Sequence, residues 1–411
     1  MSTETSSNVG SFYPPQRTLM GPGPSEIHPR VFSAMGRPTI GYLDPVFVEM
    51  MEELKELLRY AFQTKNALTF PVSGPGSVGM EMCFVNMVSP GDKVIVCRNG
   101  VFGGRMIENV ERCGGTAIVV DDPMGKPVDP DKVREAFKAN PDVKVLAFVH
   151  AETSTGVRSD AKTLAEIAKE FGALTIVDTV TSLAGVPVLV DEWGLDAVYS
   201  GSQKCLSCTP GLSPITFSDR VVELVKTRKH KVQSWFMDLN LLLGYWGETT
   251  RTYHHTAPTN ALYSLHEALI MLRDEGLEAS WARHQRNHKA LKAGLETLGL
   301  SYLVEEQYRL PQMNAVNVMP GIDEKEVRRR LLVEMNIEIG AGLGALAGKI
   351  WRFGIMGYSC KMENVMLCLC ALESVFDDMG AKIDLGAAEA AAYHAYAAHP
   401  IGPGKTIKAA A

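Results

Sequence analysis

No apolar run in the chain approaches the roughly 20 residues that a membrane-spanning helix needs. Neither charge sign dominates: 47 Asp and Glu stand against 41 Lys and Arg. The resulting net charge of −6 comes with no basic stripe, which leaves a nucleic-acid partner without an electrostatic footing. Cysteine is sparse, at 8 in 411 residues, too thin for a disulfide framework. Cys205-Leu206-Ser207-Cys208 has C-x-x-C spacing, but no second C-x-x-C completes a zinc site. These cysteines read as small buried thiols, and Cys368-Leu369-Cys370, in an apolar helical run, reads as core. His254 and His255 are adjacent and poorly placed to face one ion, so no metal is expected. Met1–Asn8 is polar, without a basic segment leading into an apolar one, and Ala409-Ala410-Ala411 is not a peroxisomal address. The expected compartment is the cytoplasm.

What is present is alternation. Val94–Val96, Ala117–Val120, Val145–Val149, Leu174–Val177 and Ala197–Tyr199 have strand character. Helical patterns over Arg105–Arg112, Pro130–Ala139 and Ala161–Phe171 lie between them. This order predicts an α/β fold, a mostly parallel sheet with helices on both faces and ligands at the carboxyl ends of the strands. Pro45–Phe62, Pro258–Glu275 and Leu277–Leu298 are further helices, and the last leads into a smaller α+β lobe. The expected division is an N-terminal arm over 1–20, a large domain over 21–276, a small C-terminal domain over 277–380 and an Ala-rich tail over 381–411, partly helical or disordered. Basic residues over Val221–Lys231 read as a solvated helical face.

Chemistry concentrates where Ala197-Val198-Tyr199 breaks into Ser200-Gly201-Ser202-Gln203-Lys204. A lysine delivered by a small-residue bend is aimed by backbone, as a nucleophilic amine must be. Asp178 closes the preceding apolar run, and pyridoxal phosphate (PLP) requires such a pair: a lysine for its aldehyde, an acid for its ring nitrogen. The loop Ser73-Gly74-Pro75-Gly76-Ser77 opens an apolar helix over Val78–Met87 and offers its N–H groups to a phosphate, with Gln203 beside it. Gly74–Gly79 also satisfies G-x-G-x-x-G. The next strand, however, ends in Cys97-Arg98-Asn99 rather than an acid, which disfavours NAD and leaves an NADP-linked oxidoreductase as the alternative from a different class. In the PLP reading, Phe102 supplies a stacking face and Thr153 a donor to the ring hydroxyl, both from loops. Arg352, on a small-lobe strand, clamps the substrate carboxylate; its alternative is a structural ion pair.

Further segments make the pattern specific: Gly21-Pro22-Gly23-Pro24-Ser25, Phe62-Gln63-Thr64-Lys65-Asn66, Glu152-Thr153-Ser154-Thr155-Gly156-Val157, Tyr253-His254-His255-Thr256 and Arg352-x-Gly354-x-Met356-Gly357. With the Lys204 and Asp178 segments they span Leu19 to Asp378, and over that stretch the chain resembles a fold-type I, class V PLP-dependent aminotransferase of the alanine–glyoxylate and serine–glyoxylate (serine–pyruvate) group. The resemblance implies Lys204 as the Schiff-base lysine and Asp178 as the ring-nitrogen partner. It puts Gly76, Ser77 and Gln203 at phosphate positions and Arg352 at the substrate carboxylate. Tyr253 and Thr256 match residues that reach the phosphate of a neighbouring subunit, which implies a homodimer with shared sites. The implied reaction is ping-pong transamination from serine or alanine to glyoxylate or pyruvate. Ureidoglycine–glyoxylate transfer, pyridoxamine–pyruvate transfer and a PLP lyase are the related alternatives. The chain departs from the pattern at Phe102, where some relatives carry tryptophan, at Pro75 and Ser77, and at Ser207-Cys208-Thr209.

Overall fold

The computed structural model describes residues 10–247 and 251–400, so the readings on Met1–Asn8 and on the tail past 400 fall outside the described residues. Seven strands form the central sheet: β1 (Leu68–Ser73), β2 (Lys93–Arg98), β3 (Thr116–Asp121), β4 (Val145–Val149), β5 (Leu174–Asp178), β6 (Ala197–Tyr199) and β7 (Leu212–Phe217). Their spatial order is β1-β7-β6-β5-β4-β2-β3, and β7 alone runs antiparallel to its neighbours. β4 is buried at every residue, as a strand covered on both faces must be. No helix among the described residues is long and apolar enough to cross a membrane.

Sequence patterning passes over β7 because Pro214 interrupts it, and proline lacks the N–H that a ladder needs. Two details make the strand possible. Pro214 stands opposite Pro71 of the edge strand β1, so neither asks the other for a hydrogen bond. On the other side the Pro214 carbonyl accepts from the Ser200 N–H at 2.8 Å, and the Ser213 hydroxyl, rather than an N–H, donates to the Ser200 carbonyl at 2.7 Å. That hydroxyl fills the space where a Cβ on Gly79 would sit, 2.1 Å away.

Helix α1 (Pro45–Phe62) starts as its sequence predicts, with Asp44 accepting from the Val46 N–H at 2.9 Å and proline in the first turn. Helices α2 (Gly76–Met87) and α3 (Val101–Arg112) start earlier than patterning predicts, by two and four residues. Neither has a capping side chain of its own, so the local signal for their starts is missing.

A second core gathers on α4 (Leu277–Thr297), α5 (Met362–Asp378) and a three-stranded sheet of β8 (Met313–Asn317), β9 (Gly340–Ala341) and β10 (Ile350–Gly354), ordered β8-β10-β9. Both ends of the described chain join it. Thr18–Leu19 pairs in parallel with Ile337–Glu338, and Met20 is fully buried. In the Ala-rich stretch, α6 (Ala387–Ala398) buries Ala388 and Ala392 completely, and the Tyr396 hydroxyl donates to Asn287 Oδ1 at 2.5 Å. Small side chains permit this close approach; a Cβ on Gly294 of α4 would lie 2.3 Å from Leu369. Cys368 is core, but Cys370 is exposed, because residues two apart on a helix face opposite sides.

Candidate active site

Asp178 ends β5 at the carboxyl edge of the sheet. Its Oδ1 accepts from the Val180 N–H and its Oδ2 from the Tyr199 hydroxyl, each at 2.8 Å. The side chain is buried, and burial pushes its pKa up to about 7, with the Glu152 charge adding to the rise. The two donors and the Lys204 cation oppose it.

Lys204 lies on the bend after β6. Ser200 N–H and Ser202 N–H donate to Pro214 and Leu212 carbonyls, and the Ser202 hydroxyl donates to the Thr209 carbonyl at 2.6 Å. Backbone therefore fixes the bend on both sides. The amine itself donates to the Pro22 carbonyl. Burial lowers its pKa to about 8, and the nearby Arg352 cation adds to the drop. The Gly21–Ser25 turn, rigid by sequence, proves to lie across this amine. Ser25 holds it there, its N–H donating to the Gln203 carbonyl at 2.9 Å and its hydroxyl to the Lys204 carbonyl at 2.8 Å. A Cβ on Gly23, which has φ +109°, would stand 2.5 Å from the Lys204 Nζ.

The Ser73–Ser77 loop faces the same bend, since a Cβ on Gly76 would lie 2.8 Å from Val180 and 3.4 Å from the Ser200 carbonyl. Gly74, at φ +140°, directs its N–H to the Gly211 carbonyl at 2.7 Å. α2 begins with no side-chain cap, and among the described residues the Gly76 and Ser77 N–H groups have no acceptor. The Gln203 Oε1 is buried without a partner. Uncapped N–H groups at a helix start suit an oxyanion such as the phosphate of PLP, and an acid beside a lysine suits its ring and aldehyde. The residues present fit that cofactor.

Phe102 sits in the first turn of α3 rather than on a loop, half-buried, with the Arg105 guanidinium 4.7 Å over its ring. Its N–H and that of Gly103 donate to Glu152 at 3.1 and 3.4 Å, and the Ser154 hydroxyl donates to the same carboxylate at 2.6 Å. Glu152 thus caps α3 from 50 residues away in sequence, a role local reading cannot find. Thr153 pairs its hydroxyl with that of Thr181. Its carbonyl accepts from Arg352 Nη1 at 3.1 Å, while Arg352 Nε donates to the Ala341 carbonyl at 2.7 Å. Arg352 is only 5% exposed, yet among the described residues it has no carboxylate partner, and burial lowers its pKa to about 10. The structural ion pair is absent.

Tyr253 and Thr256 do not join this cluster. Both are exposed, and Tyr253 packs against Tyr42 with ring centroids 5.4 Å apart. Cys205 and Cys208 are buried thiols whose pKa values rise with burial, Cys205 to about 12. His284 and His288 form an H-x-x-x-H pair on α4 that the sequence reading overlooked in finding no second ligand pair for a zinc site. His284 spends Nδ1 on the Ser280 carbonyl and Nε2 on the Gly357 N–H, and His288 turns Nδ1 to Asn314.

Residues 33–363 match the aminotransferase class-V family. The (S)-ureidoglycine–glyoxylate transaminase of Bacillus subtilis is 39% identical, over 93% of this chain and 96% of its own. The crystal structure of the ureidoglycine–glyoxylate aminotransferase from that species superposes with a TM-score of 0.92, over 94% of this chain and 100% of its own. An alanine–glyoxylate aminotransferase of Drosophila melanogaster is 38% identical, over 91% and 96%. The crystal structure of an alanine–glyoxylate aminotransferase from Nostoc sp. shares 46% identity and a TM-score of 0.88, over 92% and 99%. The fold is therefore that of the fold-type I PLP aminotransferases, and the chain belongs to the class-V aminotransferases, enzymes that depend on pyridoxal phosphate.

Proposed function

We propose that this aminotransferase passes an amino group from a small monocarboxylic amino acid, serine or alanine, to glyoxylate or pyruvate, using Lys204 as its reactive amine. The observation that carries the substrate reading is Arg352: one buried guanidinium, held by two carbonyls and left without an acid. It suits a single carboxylate. Glyoxylate is the acceptor named for both kinds of relative, whereas the donor differs between them. Ureidoglycine is accordingly the second reading for the donor, supported by the Bacillus subtilis relative.

When bound, PLP supplies an aldehyde that takes up amines and a ring that draws electrons from the bond being broken. The chain's residues do the rest. The depressed pKa of Lys204 leaves a larger share of its amine neutral near pH 7 than an ordinary lysine has, which suits an amine that must attack and then carry a proton. Asp178, fixed by Val180 and Tyr199, would pair with the ring nitrogen. Gly76, Ser77 and Gln203 would hold the phosphate, with Ser73 and Gly74 shaping the loop. Phe102 would supply the stacking face, and Thr153 a donor to the ring hydroxyl. Tyr253 and Thr256 face outward to reach a partner's phosphate in a homodimer. The exposure of Phe32, Val46, Trp235 and Tyr253, at 54, 65, 62 and 57%, supports a covered face there.

A steady-state panel of alanine, serine, ureidoglycine and pyridoxamine against glyoxylate and pyruvate tests the substrates. The expected result is turnover of alanine or serine with glyoxylate. In the Lys204→Ala variant, borohydride should fix no cofactor and turnover should fall about 10³-fold or more. Turnover with ureidoglycine or pyridoxamine but not with alanine or serine would overturn the proposal.

A further inference from the structure

A cavity of about 490 Å³ is lined by His150, which follows the carboxyl end of β4, and among others by Arg158, Lys162, Trp193 and Tyr308. That size suits a small metabolite. Three observations give it a chemistry. Arg158 is half-buried, and among the described residues its guanidinium has neither a salt bridge nor a hydrogen bond, although burial lowers its pKa. His150 is 3% exposed, and its Nδ1 is buried without a partner. Burial holds that ring neutral by lowering its pKa to about 3, so it adds no positive charge of its own to the wall. The one carboxylate on the wall, Asp160, accepts from the Thr163 N–H at 3.1 Å and the Thr163 hydroxyl at 2.7 Å at the start of the helix Ala161–Glu170, and its charge also acts on Arg158 and His150, so the wall sets two cations against one anion. Lys162, exposed on the rim, has no ion pair among the described residues. The lining is therefore cationic, polar and aromatic, with the Trp193 ring edge-on to His150 at 5.5 Å.

From this we infer a second ligand site, one that binds a small carboxylate- or phosphate-bearing metabolite between Arg158, Lys162 and His150. The backbone ties it to the cluster above. Arg158 pairs with Ala151 across a two-stranded hairpin, whose tip carries the Thr153 carbonyl that holds Arg352. The His150 N–H donates to the Asp178 carbonyl at 3.0 Å. An occupant that draws Arg158 outward pulls on the arm of the hairpin opposite Arg352. Occupancy should therefore alter the Michaelis constant for the substrate carboxylate, an effect that rests on the role of Arg352 given above, whereas binding itself does not.

The test uses the PLP-loaded enzyme, so that the phosphate loop is already filled. Calorimetric titration with inorganic phosphate in one arm and citrate in the other should find one site in at least one arm, which identifies the anion class. Arg158→Gln should weaken that binding about tenfold or more, as loss of a charged hydrogen bond does, with the cofactor absorbance unchanged. Lys162→Ala, a surface change that leaves folding intact, should weaken it about threefold. Density for the anion against Arg158 in soaked crystals would support the site. Equal affinity in both variants and wild type, or no binding in either arm, would overturn it. Binding that leaves the Michaelis constant unchanged would overturn the coupling.

Discussion

Two halves of the lysine neighbourhood treat their polar groups in opposite ways. Around Asp178 both carboxylate oxygens have protein donors, and the Lys204 bend is held by carbonyls on each side. Around the start of α2 and at Arg352, donors stand partly unpaired among the described residues: two N–H groups and a guanidinium without an acid. A buried group left unpaired costs stability unless something binds to it. On the proposed reading the first half fixes direction and the second half receives anions, so that unsatisfied donors would mark the ligand and satisfied groups the reacting atoms.

The largest effect should come from disturbing the satisfied half. Asp178→Asn keeps a near-identical shape, and its turnover should fall about 10²-fold while cofactor stays bound, as absorbance would report. The same substitution has the opposite effect without cofactor. A carboxylate whose pKa rises from 3.8 to about 7 on folding contributes stability below pH 3.8 that is lost as pH rises to about 7. The loss amounts to ~4 kcal/mol at most. The apo variant should therefore melt above apo wild type at pH 8, with the gap closing toward pH 4. A gap independent of pH would place the proton elsewhere.

Next comes the receiving half. Arg352→Ala should raise the Michaelis constants of amino and oxo acids together, about 10- to 100-fold, with a smaller change in turnover. If only one substrate responds, the two bind their carboxylates at different places. A purely structural change ranks third: Gly79→Ala presses a methyl group to within 2.1 Å of the Ser213 hydroxyl and 3.1 Å of Tyr199. It should cost about 1–3 kcal/mol of stability, read as a lower melting temperature. Tyr253→Phe should do least, weakening cofactor binding a few-fold, and only in the assembled protein.

The sheet and the chemical core of the site were legible because each leaves a local mark. Alternating apolar runs and helices announce a parallel sheet, and a small-residue bend ending in Lys204 announces an aimed amine. The parts that escaped notice depend on residues far apart in sequence. β7 was hidden by Pro214, whose missing donor is replaced by the side chain of Ser213. Glu152 gives no sign in its own segment that it caps a helix starting at Val101. The Ala-rich tail is helical in part, as its composition suggests, but alanine signals neither core nor surface, so the full enclosure of Ala388 and Ala392 left no mark in the sequence.

The strand that carries Thr18 and Leu19 adds two rungs to Ile337–Glu338, passes Met20 into the smaller core, accepts the Gly354 N–H at the Met20 carbonyl and then runs over the lysine as Gly21–Ser25. The segment behaves as a tether. The carbonyl that the Lys204 amine touches is thereby positioned by pairing with the smaller core. A cleavage placed just ahead of Gly21 should free that carbonyl from its anchor, and so act on the amine without altering any side chain near it.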